Sequence, residues 1–329
     1  MSHIIDAIRL SKYGESEVLS LQQIELLPPG SGEIQIRHFA IGVNYLDIYH
    51  RKGVFAAKLP LPTGLGVEGV GEVTALGPDV SGFAIGDRVA YVGGPPGGYA
   101  ICRNVPAARA LHVPAGLDSE TVAATVFKGL TAEYLTHRCV TLKAGDTVLL
   151  HAAAGGVGSL ASQWLKALGV TVIGTVSTEA KAETARAYGC DHVILYARED
   201  FRERVSQITG GKGVKVVFDS VGADTFMGSL DCLQPRGILV SFGESSGPVE
   251  PLPISMLGAK GSLYVTRPSI AHYTADRTEY EAAAQRLFSA IETGVIKTAK
   301  PRVYALKDAP QAHADMEARR TSGSVVLLP

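Results

Sequence analysis

Apolar runs that alternate with amphipathic segments organise the middle of the chain. Six short runs rich in Val, Ile and Leu predict buried strands, at 146–152, 170–176, 192–196, 214–222, 236–243 and 261–266. Segments with helical spacing lie between the first five runs, at 158–169, 178–189, 198–210 and 223–233. This alternation predicts an α/β fold with a doubly wound, six-stranded parallel sheet.

The first third of the chain has a different pattern. Its apolar runs are short and are separated by turns rich in Gly and Pro, as at 34–44, 67–77 and 86–93. Many short strands with such turns predict a β-barrel or a sandwich.

The boundaries of the middle region follow from these changes of pattern. Asp118 or Ser119 can cap the helix that opens it. The tail of the chain carries two helical segments and a last strand, at 278–294, 307–320 and 323–329. We expect the tail to return to the first domain, so that the α/β domain is an insertion. The predicted domains are 1–125 with 268–329, and 126–267.

A glycine-rich turn follows the first strand of the middle region. Gly155, Gly156 and Gly158 precede a helix that Gly169 can end. Free N–H groups and the dipole at a helix N-terminus favour a phosphate, and glycine lets the backbone approach a pyrophosphate closely. The alternative is a turn that only packs the helix against the strand. The strand before it and the helix after it favour the phosphate site.

The residues after the next strand indicate which nucleotide is bound. An NAD-dependent enzyme usually has an acid at the end of that strand, which accepts a hydrogen bond from the ribose 2′-hydroxyl. Here the strand runs into Ser177 and Thr178, with Lys181 in the first turns of the following helix. Hydrogen-bond donors and positive charge favour a 2′-phosphate, and therefore NADP. Glu179 is the exception, since it could still face the ribose.

Seven sequence strings together resemble those of the NADPH:quinone oxidoreductases. They are HAAAGGVGSLASQWLKALG, DSVG, LVSFGESSG, GSLYVTRPS, GLGVEGVGEV, GDRVAYVG and AIGVNYLDIY. This family is the zinc-free branch of the medium-chain dehydrogenase/reductase superfamily, which includes ζ-crystallin. The resemblance spans essentially the whole chain. It implies a GroES-like β-barrel domain, a Rossmann domain and NADPH bound in the cleft between them.

The resemblance also implies the residues of the site. Asn44, Tyr45, Tyr49, Phe55 and Thr131 are implied at the nicotinamide and substrate pocket, with no catalytic group assigned. The other implied cofactor contacts are Tyr134, Gly155, Gly156, Val157, Ser177, Lys181, Tyr196, Ser220, Phe242, Gly243, Ser245, Ser246, Arg267, Pro268, Ser269 and Arg319. Arg320 competes with Arg319 for its role. Phe55 departs from the tyrosine that relatives often carry, so a hydroxyl that could reach a quinone oxygen is missing.

Comparison with zinc-containing relatives predicts that this chain binds no zinc. Those relatives carry Cys within the stretch equivalent to 40–47 and His-Glu where this chain has Val67 and Glu68. Only Glu68 remains, and a catalytic zinc site needs three protein ligands. An acceptor that is already electron-poor, a quinone or an enone, can accept a hydride without a Lewis acid.

The functional hypotheses follow from these residues. The first is NADPH-dependent reduction of quinones, and the second is reduction of α,β-unsaturated carbonyl compounds. A third, from another class, is an NADPH-binding structural or sensor protein. A net charge of -1 makes nucleic acid an improbable partner. We expect a homodimer joined through the edge strand near Gly261–Thr266.

The sequence also predicts where the protein is located. Its four cysteines form no CxxC pair, which is typical of a reducing compartment. The first residues lack the apolar core of a signal peptide, and no apolar run approaches the length of a membrane span. We therefore expect a cytoplasmic protein without a membrane partner.

Overall fold

The computed structural model describes residues 2–54, 58–321 and 323–329. They form two compact units, which are described separately below. The first unit comprises Met1–Lys128, Asp276–Glu292 and Thr298–Pro329, and the second comprises Gly129–Ala275 and Thr293–Lys297. Among the described residues, no helix is both long enough and apolar enough to cross a membrane.

The first unit is built mainly of strands. They are β1 (His3–Leu10), β2 (Leu19–Leu26), β3 (Glu33–Val43), β4 (Thr63–Gly64), β5 (Glu68–Leu76), β6 (Arg88–Val92), β7 (Cys102–Pro106), β8 (Ala110–His112), β15 (Arg302–Ala305) and β16 (Val325–Leu328). Its helices are α1 (Tyr45–Lys52), α9 (Arg277–Glu292), α10 (Ala309–Glu317) and the first half of α2 (Ser119–His137), whose second half belongs to the second unit.

Strand β3 is the central strand of the first unit. One of its edges pairs with β5, and the other pairs first with β7 and then with the C-terminal strand β16, all antiparallel. Its alternate residues are buried with those of β5 and β6, as at Ile34, Ile36 and Val73. The pairing of β3 with β16 joins the C-terminal strand to this unit.

The second unit alternates strands and helices. Its strands are β9 (Thr147–Leu150), β10 (Thr171–Val176), β11 (His192–Leu195), β12 (Val214–Asp219), β13 (Leu233–Ser241) and β14 (Tyr264–Thr266). Its helices are α3 (Gly156–Ala167), α4 (Glu179–Ala187), α5 (Phe201–Thr209), α6 (Phe226–Asp231), α7 (Ile254–Ala259) and α8 (Ile270–Tyr273).

The six strands of the second unit form one parallel sheet, as predicted. Their order is β11-β10-β9-β12-β13-β14. The first strand, β9, therefore lies in the middle of the sheet, β10 and β11 are added on one side of it, and the strand order reverses so that β12, β13 and β14 are added on the other. Loops at the carboxyl ends of strands on either side of such a reversal form the usual nucleotide site of a doubly wound sheet. The core beside this sheet includes Leu149, Ile173 and Val217.

The limits of the units differ from the domain limits expected from the sequence. The second unit begins at Gly129 rather than 126, and it continues to Ala275 rather than ending at 267. The ring of Tyr273 stacks on that of Tyr134 with their centroids 4.4 Å apart, which holds the segment after 267 to the second unit. The five residues Thr293–Lys297 also join this unit, because Lys297 exchanges two hydrogen bonds with Gln163.

Candidate functional site

The turn between β9 and α3 has the geometry of a phosphate-binding loop. Gly155 is the N-cap of α3, and its N–H donates to the Ala152 carbonyl at 2.8 Å. A Cβ on Gly158 would lie 2.3 Å from the Ala152 oxygen, so only glycine fits this close approach of helix and strand. The first N–H groups of α3 have no partner within the helix. They are free to bind an anion at the carboxyl end of β9.

A buried hydrogen-bond network lies directly below this turn. His151, which is 1% exposed, lies 2.9 Å from the Thr175 hydroxyl through Nδ1 and 3.0 Å from the Ser229 hydroxyl through Nε2. The Ser229 hydroxyl donates to the Asp219 carboxylate, so it must accept from the histidine Nε2–H. Burial lowers the pKa of His151, which favours this neutral tautomer. The network therefore ties together the carboxyl ends of β9, β10 and β12.

The segment after β10 contains the residues predicted to select the nucleotide. Thr178 is the N-cap of α4 and accepts a hydrogen bond from the Lys181 N–H at 3.4 Å. The Tyr196 N–H donates to the Val176 carbonyl, because β10 and β11 are neighbouring parallel strands. The carboxyl edge of the sheet therefore carries Ser177, Lys181 and the exposed ring of Tyr196.

The loops after β12 and β13 pack directly on each other. The Ser245 N–H donates to the Ser220 carbonyl at 3.2 Å, and the Ser246 N–H donates to the Val221 carbonyl at 2.8 Å. A Cβ on Gly243 would lie 2.8 Å from the Ser220 oxygen, so glycine is required at this contact. The structure therefore brings together Ser220, Phe242, Gly243, Ser245 and Ser246.

Arg267 connects the loop after β14 to the same loops. Its guanidinium donates to the Ser241 hydroxyl at 3.3 Å and lies 3.3 Å from the Glu244 carboxylate. Pro268 and Ser269 follow it, and Ser269 is the N-cap of α8. All the implied cofactor residues that follow strands of the second unit therefore lie at the carboxyl edge of its sheet. Thr131 and Tyr134 are on α2, where both are buried.

In the first unit, helix α1 carries the residues implied at the nicotinamide end. Asn44 is its N-cap, with its backbone N–H donating to the Asp47 carboxylate at 2.8 Å. The ring centroids of Tyr45 and Tyr49 are 6.2 Å apart on one face of the helix. The Tyr45 hydroxyl donates to the Met316 carbonyl at 3.0 Å. Phe55 lies outside the described residues.

A buried carboxylate lies next to Asn44. The Asn44 amide donates to Glu68 Oε1 at 2.6 Å, the Phe127 N–H donates to Oε2 at 2.9 Å, and the Lys128 ammonium lies 3.7 Å from Oε1. These residues do not fit a zinc ion, because both carboxylate oxygens are occupied and the adjacent group is a cation. Among the described residues, no three His, Cys, Asp or Glu side chains are grouped to hold a metal.

A second buried chain of hydrogen bonds anchors α1 and was not predicted from the sequence. Arg51 lies 3.2 Å from His313 Nδ1, His313 Nε2 lies 2.9 Å from the Tyr99 hydroxyl, and that hydroxyl donates to the Asp47 carboxylate. Burial raises the pKa of Asp47 to about 7 and lowers the pKa of His313 to about 3. The partners lie far apart in sequence, and no local motif links them.

Arg319 and Arg320 are placed differently at the end of α10. Arg320 pairs with Asp315, with its Nη2 2.7 Å from Oδ1. Across residues 2–54, 58–321 and 323–329, no acidic side chain forms an ion pair with Arg319. The charge of Arg319 lowers the pKa of Tyr45, against the larger effect of burial, which raises it. Arg319 is thus the arginine whose guanidinium is available near α1.

Lys128 and His151 are two functional candidates that the motifs did not indicate. The sequence could have indicated Lys128, because it is a lone cation within an apolar stretch of helix α2. It indicates His151 less clearly, because a histidine after a buried strand is more often a core residue whose hydrogen bonds are satisfied. Their roles depend on contacts with Glu68 and Ser229 that only the fold brings about.

Comparison with known proteins defines the class of this chain. A family model described as alcohol dehydrogenase GroES-like domain matches residues 30–144, and one described as zinc-binding dehydrogenase matches residues 156–289. Both matches place the chain in the medium-chain dehydrogenase/reductase superfamily.

Relatives that match over the full length define the family of this chain within the superfamily. The chain is 47% identical to a quinone oxidoreductase of Pseudomonas aeruginosa over 98% of its length and 99% of the relative. It is 43% identical to a 2-haloacrylate reductase of a Burkholderia species, over 99% of each. The crystal structure of Escherichia coli quinone oxidoreductase complexed with NADPH matches with a TM-score of 0.96 and 46% identity, covering 98% of this chain and 100% of that one. The chain therefore belongs to the quinone oxidoreductase family.

Proposed function

We propose that this protein reduces quinones by hydride transfer from NADPH. The observation that carries the proposal is the full-length similarity to the Escherichia coli quinone oxidoreductase that was solved with NADPH. It is supported by the phosphate-binding geometry of the turn between β9 and α3. The residues present fit the cofactor, because the second unit offers anion-binding N–H groups for the pyrophosphate of NADPH and a lysine for its 2′-phosphate.

The second unit is proposed to hold the nucleotide part of the cofactor. Gly156 and Val157 receive the pyrophosphate on the first N–H groups of α3, and Gly155, which has no side chain, lets the backbone approach it closely. Ser177, Lys181 and Tyr196 receive the 2′-phosphate. His151 fixes these two segments relative to each other, because it lies in the turn after β9 and its Nδ1 is hydrogen-bonded to Thr175 near the end of β10.

The remaining contacts of the second unit complete this proposed binding site. Ser220, Phe242, Gly243, Ser245, Ser246, Arg267, Pro268 and Ser269 lie along the dinucleotide. The hydrogen bonds between the loops after β12 and β13 hold their backbones in position before the cofactor arrives, which reduces the entropy lost on binding. Thr131 and Tyr134 are proposed to contact the nicotinamide end.

The first unit is proposed to supply the rest of the nicotinamide and substrate pocket, through Asn44, Tyr45, Tyr49 and Phe55. The hydrogen bond from Asn44 to Glu68 holds the amide of Asn44 in position. Arg319 is proposed as a phosphate contact. Because Arg320 is held by Asp315, it is the weaker candidate for that role.

NADPH, when bound, supplies the hydride to the acceptor. The chain's own groups hold the acceptor and exclude water from it. The proton that completes reduction comes from solvent or from a hydroxyl. The Tyr45 hydroxyl already donates to the Met316 carbonyl, and burial raises its pKa. Tyr45 and Tyr49 are the two hydroxyls to test by replacement with Phe.

Steady-state oxidation of NADPH in the presence of a chelator tests the proposed function. We expect turnover with 1,4-benzoquinone or 9,10-phenanthrenequinone, and a lower KM for NADPH than for NADH. Turnover that is lost with the chelator and restored by zinc would overturn the zinc-free part of the proposal. Binding of NADPH without oxidation by any acceptor would support the sensor alternative instead.

A second candidate activity is reduction of α,β-unsaturated carbonyl compounds. The observation that favours it is the 43% identity to a 2-haloacrylate reductase over nearly the full chain. Both activities need an electron-poor acceptor held against the nicotinamide. The same assay with 2-haloacrylates and with enones distinguishes them: a kcat/KM for these acceptors above that for quinones would make this the principal activity.

The assembly is proposed to be a homodimer through β14. This strand is at the end of the six-stranded sheet, and its Tyr264 and Val265 are exposed. A monomer mass in size-exclusion chromatography with light scattering would contradict it. A cytoplasmic location is proposed because all four cysteines are free, which is typical of a reducing compartment.

A further inference from the structure

Glu179 is an acid at the position where cofactor choice is decided. It is the first residue of α4, one residue after the N-cap Thr178 and two before Lys181. An acid in the first turn stabilises a helix through its dipole. The same charge repels a 2′-phosphate, and a carboxylate near this point can accept a hydrogen bond from the 2′-hydroxyl of NADH. Taken alone, Glu179 therefore favours NADH over NADPH.

The structure places a counter-charge on Glu179. Arg186 Nη1 lies 3.3 Å from Glu179 Oε1, and the two residues lie on the same face of α4, two turns apart. Seven residues of helix rise about 10 Å, so the long arginine side chain must extend toward the N-terminal end of α4 to reach the glutamate. Its guanidinium therefore adds positive charge at the end of the helix that carries Lys181.

We propose that Arg186 is a specificity-determining residue, which maintains preference for NADPH by neutralising Glu179. This inference rests on the proposed position of the 2′-phosphate at Ser177 and Lys181. An unpaired carboxylate about 6 Å from a doubly charged phosphate would weaken binding by about tenfold, even in a water-like dielectric. Pairing with Arg186 offsets that repulsion and occupies one of the two carboxylate oxygens that could accept from a ribose hydroxyl.

The pair is exposed, and an exposed ion pair contributes little to stability. Loss of Arg186 is therefore expected to leave folding unchanged and to alter cofactor choice. A residue with a merely structural role would not change the preference between two cofactors. The ratio of kcat/KM for NADPH to kcat/KM for NADH is consequently the quantity to measure, together with the Kd values of NADP⁺ and NAD⁺ by calorimetry.

The test uses Arg186→Gln, with Arg202→Gln as a matched control. Arg202 is 53% exposed, as is Arg186, and it also pairs with an acid at the start of a helix, Asp200. We expect Arg186→Gln to lower the NADPH/NADH ratio about tenfold through the KM for NADPH, with kcat unchanged. Arg202→Gln is expected to leave the ratio unchanged. Glu179→Gln added to Arg186→Gln is expected to restore it.

Failure of this inference and failure of the proposed function give different results. If the wild type prefers NADPH and Lys181→Gln weakens that preference, but Arg186→Gln changes the ratio less than twofold, the role of Arg186 is refuted and the NADPH site stands. If the wild type shows no preference for NADPH in turnover or in binding, the proposed site itself is wrong. A ratio that falls with Arg186→Gln but is not restored by Glu179→Gln would refute neutralisation as the mechanism.

Discussion

Replacement of Arg319 by glycine is expected to make the protein more stable and its binding of NADPH weaker. Arg319 has φ +58, in the left-handed region, at the end of α10. Its N–H donates to the Met316 carbonyl and the Arg320 N–H donates to the Asp315 carbonyl, which together form a Schellman motif. Glycine is the usual residue at this position, and any other residue costs about 1 kcal/mol there.

The two effects of Arg319→Gly can be given magnitudes. Relief of backbone strain, less the greater freedom of glycine in the unfolded chain, leaves a gain of about 0.5 kcal/mol, or about 1–2 °C in Tm. Loss of a charge-assisted contact to a phosphate costs about 1.5–3 kcal/mol, which is about tenfold to a hundredfold in Kd. The backbone at position 319 favours glycine, so a contact between the arginine side chain and a ligand would explain why arginine is found there.

Calorimetry with NADPH and thermal unfolding of the unliganded protein measure the two effects separately. Arg319→Ala is the control, because it loses the same charge but keeps the strained backbone. We expect both variants to bind NADPH equally weakly, and only the glycine variant to gain stability. Equal Tm values for the two variants, or NADPH affinity within twofold of the wild type in Arg319→Gly, would refute this reasoning.

Three further predictions concern buried groups. Ser229→Ala leaves the N–H of His151 without an acceptor, so we expect a loss of about 1–3 kcal/mol in unfolding free energy, measured by denaturant titration; a loss below that range would contradict the inferred tautomer. Gly158→Ala places a Cβ 2.3 Å from the Ala152 oxygen, so binding of NADPH should be abolished in calorimetry, and retained binding would show that the turn can adapt. Burial lowers the pKa of His313 to about 3, so below the ordinary histidine pKa the unfolded chain binds one more proton than the folded protein. Stability should therefore fall as the pH drops from about 6.5 toward 3, and His313→Gln should reduce that fall in Tm. A variant whose Tm falls with pH as steeply as that of the wild type would contradict this role of His313.

The α/β unit could be predicted from the sequence because its strands are buried on both faces. Runs such as 170–176 and 214–222 are almost continuously apolar, which is typical of a parallel sheet. All six predicted strands are present, and the limits of the helices between them lie within about three residues of the expected ones. The turn at Gly155 was recognised because its strand and helix are local features.

The first unit was less predictable because several of its strands are exposed or very short. Strand β2 is mostly exposed, so its sequence carries little apolar periodicity. Strand β15 is likewise mostly exposed. Strands with more buried positions, such as β3, β5, β6 and β16, were recognised. Their pairing, above all that of β3 with the C-terminal β16, depends on tertiary structure that no local pattern specifies.

The contacts that support the candidate site could not be predicted from the sequence either, because they join residues that are far apart in the chain. His151 and Ser229 are 78 residues apart, and Arg51 and Glu317 are 266 apart, yet each pair is in hydrogen-bond contact. From its sequence neighbours alone, each of these residues would be interpreted as a solvated side chain or as an ordinary core residue. Glu179 and Arg186 are the exception, because spacing on one helix could have indicated their pairing.

Single-turnover hydride transfer tests the central claim most directly. The purified protein, loaded with NADPH and kept with a chelator, is mixed with one equivalent of 9,10-phenanthrenequinone. We predict that one equivalent of NADPH is oxidised for each equivalent of quinone, and that deuterium at the transferred position slows the reaction. NADPH that remains bound and unoxidised in the presence of the quinone would contradict the proposed activity.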